Sequence, residues 1–83
     1  MSTEGNRMRD LLHTLIKPLV NHPDEIKINP VEQGGTVLLE VRVDPEDMGK
    51  VIGKGGRRAE AIRTVMKAQA TRLRRRVVVE ILD

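Results

Sequence analysis

Eighty-three residues allow one small domain and leave little depth for an enclosed catalytic cavity. Without Cys there is no disulfide, thiolate metal site or cysteine nucleophile, and without Phe, Trp or Tyr the usual rings for stacking a base are missing. Charge is uneven along the chain: residues 1–49 carry five basic and nine acidic side chains, whereas residues 50–76 carry ten basic ones against Glu60 alone, within a total of +3. That basic half is the electrostatic footprint of a polyanionic partner.

Residues 1–6 are small and polar and read as a disordered tail, followed by a single domain over 7–83. Met8, Leu11, Leu12, Leu15, Ile16 and Leu19 recur at three- and four-residue steps, which predicts a helix from about Arg7 to Pro18. Pro18 ends or kinks it, because proline lacks the amide hydrogen that the helix needs. Glu25 to Val31 alternates imperfectly and contains Pro30, which suits an edge strand. After the Gln33-Gly34-Gly35 turn, Thr36 to Val43 is the clearest strand, with Val37, Leu39, Val41 and Val43 on one face. Asp44 caps the next helix, Pro45 suits its first position, and Glu46 and Asp47 complement its dipole. Met48, Val51 and Ile52 stripe about two turns, and Gly53-Lys54-Gly55-Gly56 interrupts them. A longer helix follows from Arg57 to Leu73, with Ala59, Ile62, Val65, Met66, Ala70 and Leu73 on one face. Val77 to Leu82 is the last strand. A helical crossover between strands of one sheet runs right-handed and parallel, whereas the Gly-Gly turn joins antiparallel strands. The expected fold is α+β, order α-β-β-α-α-β, with a three-stranded mixed sheet covered on one face by three helices.

Three glycines in four residues between two apolar-striped helices are entropically costly. Their use is backbone access: a chain without Cβ atoms lies flush against another backbone, and free amides at a helix start attract phosphate. Lys54 adds a mobile charge, and Arg57 and Arg58 add directional donors in a first turn where the dipole favours acids. A nucleotide P-loop needs Ser or Thr after its lysine, and a dinucleotide loop follows a strand, so neither fits.

Val51-Ile52-Gly53-Lys54-Gly55-Gly56, with Ile62 downstream, resembles the signature of the K-homology (KH) RNA-binding domain, whose Gly-x-x-Gly loop clamps about four single-stranded nucleotides. The element order matches the type II arrangement. Segments 17–23, 45–54 and 61–64 further resemble the small bacterial single-KH-domain proteins of the KhpA type. The resemblance implies that Gly53, Lys54, Gly55, Gly56, Arg57 and Arg58 meet the RNA backbone. It implies a base groove of Val51, Ile52, Ala59, Val77 and Val78, and flanking phosphate contacts from Arg72, Arg74, Arg75 and Arg76 in the variable loop. At Ala59 many KH domains carry a larger aliphatic residue. The family also implies a homodimer, or a heterodimer with a larger KH-domain protein, and a role as an RNA chaperone in cell-wall synthesis and cell length.

His13 and His22, with scattered carboxylates and no plausible nucleophile, make neither an enzyme nor a metal site. No cofactor and no small-molecule substrate are expected. The longest aliphatic runs are far short of a signal or membrane segment, so a cytoplasmic protein without membrane contact is expected. The alternative function is a protein-interaction module that docks an acidic partner through the basic half, with the glycine loop serving only as a turn.

Overall fold

The strand with the most regular alternation lies at the centre of the sheet. In a computed structural model that describes residues 3–82, β2 (Thr36–Arg42) pairs antiparallel with β1 (Lys27–Gln33) and parallel with β3 (Arg76–Ile81). Val37, Leu39 and Val41 point to the covered face and are wholly buried. Pro30 lies opposite Leu39 in the edge strand β1, where a missing donor does least harm to the ladder.

Three helices cover that face: α1 (Thr3–Ile16), the short α2 (Met48–Ile52) and α3 (Arg57–Arg72). The order and the mixed sheet are those expected from the periodicity. Met8, Leu12 and Ile16 of α1, Val51 of α2, Ile62, Met66 and Ala70 of α3, and Val77 and Val79 of β3 complete the core. Because no Phe, Tyr or Trp is present, the interior is closed by aliphatic side chains at helical and strand spacing. Regular α-helix stops at Ile16, and Lys17–Leu19 form one 3₁₀ turn around Pro18. No helix among the described residues is long and apolar enough to cross a membrane.

Four expectations are corrected. Thr3 to Asn6 are not a loose tail but the first turns of α1: Gly5 is buried, and Glu4 accepts a 3.0 Å hydrogen bond from Arg75. Polarity suggested a free end because that long-range ion pair leaves no local trace; Met1 and Ser2 lie outside the described residues. Val65 does not share the buried face of α3 but stands 44% exposed. Val43 falls just beyond β2, whose last residue is Arg42. Asp47 is more than a dipole partner, because its side chain is wholly buried.

Candidate nucleic-acid interface

The Asp47 carboxylate fixes where the glycine loop starts. It accepts the backbone amides of Asn21 (3.1 Å) and His22 (2.9 Å) and faces the His22 ring Nδ1 at 3.1 Å, with Lys50 Nζ at 3.7 Å. The segment after α1 is thereby tied to the N-terminal end of α2. Asp44 does cap as expected: its Oδ1 accepts the Glu46 amide at 2.9 Å across the 3₁₀ turn Pro45–Asp47. The hydrogen bond to Asp47 raises the His22 pKa above its ordinary 6.5, and the charges of Asp44, Asp47 and Glu46 add to it against desolvation. Desolvation pushes Asp47 up, but the bonds from Asn21 and His22 together pull it below its ordinary 3.8.

These shifts set a pH window. A raised His22 pKa contributes stability that is fully present below the unfolded value of 6.5 and lost as pH rises through the native value. A lowered Asp47 contributes stability present above 3.8 and lost as pH falls through its native value. Melting temperature against pH is therefore expected to plateau between those two ordinary values and fall on either side. His22→Gln is expected to flatten the alkaline limb and to reduce the acid limb without abolishing it, because the backbone amides of residues 21 and 22 still bond Asp47; an unchanged alkaline limb would count against this anchor.

Beyond α2 the chain turns sharply. Gly53 adopts φ 77°, ψ 173°, a region essentially closed to other residues, and Gly55 and Gly56 are left-handed at φ 65° and 77°. A Cβ on Gly53 would lie 2.6 Å from Arg58 Cβ and 2.9 Å from its amide nitrogen, so this glycine permits α2 and α3 to approach. Around Gly55 and Gly56 a Cβ would meet nothing within 4 Å. Internal bonds run from the Gly53 amide to Gly49 O (2.9 Å), from Gly56 to Gly53 O (3.1 Å), and from Arg57 to Lys54 O. The Lys54 and Gly55 amides take no part in them. The loop is therefore an open backbone ledge at the start of a 16-residue helix, with Lys54 and Arg57 exposed beside it. Such a ledge admits an anion without a side chain in the way.

The structure divides the remaining sequence-derived site residues. Arg58 turns back and donates from Nη1 to the Lys50 carbonyl, capping α2, so one face of its guanidinium is already engaged. Val51 and Ala59 sink into the core and offer no groove surface; Val77 too is core, though its edge still reaches a groove wall. Ile52 and Val78 remain accessible, at 37% and 50% exposure. Arg75 is held between Glu4 (3.0 Å) and Glu32 (3.8 Å), a clamp that joins α1, β1 and the α3–β3 turn. Arg72, Arg74 and Arg76 are exposed.

Two cations escaped the sequence reading. Arg63 and Lys67, with Val77, Val78 and Val79, line a groove of about 210 Å³ between α3 and β3. Arg63 donates from Nε to the Val79 carbonyl (3.2 Å) at the free edge of β3 and pairs with Glu60 at 3.0 Å. Their four-residue spacing places them on one side of α3, a signal that the sequence carried; which side faces β3 was not legible without the fold.

An α-β-β-α-α-β order, a mixed sheet covered on one face, and an open glycine ledge between two helices together define a KH domain of type II order. The family model described as the KhpA/KhpB KH domain matches residues 9–81. A protein of Clostridium acetobutylicum named RNA-binding protein KhpA is 55% identical over 75 residues, covering 90% of this chain and all of that protein. The protein of the same name from Borreliella burgdorferi is 45% identical over 83 residues, end to end in both. Among solved structures, Aquifex aeolicus Era bound to GDP and aluminium fluoride superposes with a TM-score of 0.63 at 22% identity. That match takes in 98% of this chain but 31% of Era, and it speaks for the fold alone. The chain belongs to the KhpA/KhpB KH-domain family.

Proposed function

We propose that this chain is a single-stranded RNA-binding protein that works as one KH unit, gripping the sugar-phosphate backbone at Gly53–Gly56 with Lys54 and Arg57. The open ledge carries this reading: two amides outside the internal bonding, left-handed glycines facing free space, and exposed cations at a helix N-terminus. Aliphatic surface at Ile52 and Val78 gives bases a place to rest without rings. The names of the relatives support the same reading.

Four nucleotides hold little sequence information, so such a module gains affinity and selectivity by pairing. We propose pairing with a second copy or with a larger KH-domain protein; an apolar furrow of Leu15, Leu19, Ala61 and Val65 supports it. In this reading the pair acts in the cytoplasm as an RNA chaperone and post-transcriptional regulator in cell-wall synthesis and cell length.

Titrating a labelled single-stranded oligonucleotide at several salt concentrations tests the binding. With about four to six phosphates neutralised, log K is expected to fall against log salt with a slope of about −3 to −4. A flat response would overturn the phosphate grip and favour an acidic protein as the ligand of the basic half.

A further inference from the structure

The segment after α1 brings an imidazole against three carboxylates that lie far from it along the chain. His22 Nδ1 stands 3.1 Å from Asp47 Oδ2 and 3.9 Å from Asp44 Oδ1, and its Nε2 stands 3.9 Å from Glu46 Oε2. Spacing in the sequence offers His22 no set of ligands; the fold supplies them from the 3₁₀ turn Pro45–Asp47 and its cap. One donor atom each from His22, Asp44 and Glu46 falls within 4.8 Å of the other two.

Tautomer and charge both fit this cluster to a cation. Asp47 is wholly buried, and a carboxylate only accepts, so the proton of the neutral ring sits on Nδ1. That leaves the Nε2 lone pair turned toward Glu46. Metal-binding histidines donate their other ring N–H to a carboxylate in this way, which fixes the ring and raises its basicity. Asp44, Glu46 and Asp47 bring three negative charges, and the facing cation is Lys50, whose Nζ lies 3.7 Å from Asp47 Oδ1. A dication balances the remainder. Donors around a tetrahedral ion at about 2.1 Å stand roughly 3.4 Å apart, so the Nε2–Oε2 pair has about half an ångström to close. Glu46, with its side chain 81% exposed, is free to make that movement.

We propose that His22 Nε2, Glu46 and Asp44 bind a divalent transition-metal ion of the zinc class, with Asp47 as the carboxylate behind the histidine. An imidazole among carboxylates suits zinc, whereas calcium and magnesium take oxygen ligands alone. Three protein ligands leave one tetrahedral position to water. The ion pins the segment after α1 to the start of α2 and so reinforces the anchor that Asp47 makes with Asn21 and His22. The glycine loop lies at the other end of α2, so metal binding and RNA binding stand or fall separately.

Isothermal titration calorimetry with zinc chloride tests it, on the full chain freed of metal by EDTA and dialysed at about pH 8, where a neutral imidazole is favoured. One ion per chain is expected. Glu46→Gln and His22→Gln are each expected to weaken zinc at least about 10-fold, the loss that even an outer partner of a ligand costs. Asp44→Asn keeps the cap, since asparagine caps as well as aspartate, and is expected to weaken zinc likewise. His13→Gln, on α1, is the control and is expected to bind as the parent does. With zinc at about ten times its dissociation constant, the parent's melting temperature is expected to rise about 5 °C or more. That of Glu46→Gln is expected to match the parent without zinc and to stay there when zinc is added, which separates a lost ligand from a lost fold. No binding by the parent, or zinc held as tightly by Glu46→Gln and His22→Gln as by the parent, would overturn the site. A loss in His13→Gln equal to that in His22→Gln would overturn it too, as scattered surface binding.

Discussion

Lys54→Asp combined with Gly55→Asp is expected to lower affinity for single-stranded RNA about 100-fold at 0.1 M salt with the fold retained. The substitutions remove one positive charge and add two negative ones; three charges at roughly 0.7 log unit each give that factor. Retention of the fold follows from the geometry. Lys54 is exposed, and a Cβ on Gly55 meets nothing within 4 Å. Aspartate is also among the residues that best tolerate the left-handed conformation of Gly55 at φ 65°. Circular dichroism would report the fold and anisotropy the binding. Parent-like RNA affinity in a folded double variant would remove the ledge as the site.

The second large effect falls on stability. Gly53→Ala is expected to cost about 3 kcal/mol or more, since it combines a backbone region nearly closed to non-glycine residues with a collision. The clash at 2.6 Å is with the Cβ of Arg58 and the next contact is its amide nitrogen, so no flexible side-chain end can swing away. A domain of this size holds roughly 4–12 kcal/mol in all, and each kcal/mol is worth about 4–8 °C in melting temperature. A loss of at least about 12 °C is therefore expected. Gly55→Ala, left-handed but unobstructed, is the control, with about 1–2 kcal/mol lost. Similar melting temperatures for the two variants would show that helix approach at Gly53 is not what the glycine serves.

The two glycines thus divide the loop's work. Gly53 lets α3 come close to the end of α2, and Gly55 leaves the space beside the chain open. From sequence they are indistinguishable members of one motif, because only the position of Arg58 across the turn separates them. Likewise, the run from Arg72 to Arg76 reads as uniform positive charge until the fold assigns Arg75 to Glu4 and Glu32 and leaves Arg74 and Arg76 facing outward.

Local pattern was enough for the element order, the edge position of β1, the capping role of Asp44 and the place of the glycine loop. Each depends on neighbours within a turn of helix or a pair of strand residues, and backbone chemistry at that range is dictated by residue type. The tertiary structure alone decided that Asp47 is buried against Asn21 and His22, that Thr3 to Asn6 are helical, and that Val51 and Ala59 are core while Ile52 and Val78 are surface. Those outcomes turn on partners 25 to 71 positions apart or on which side of a short helix faces the sheet, and no periodicity of a few residues encodes that.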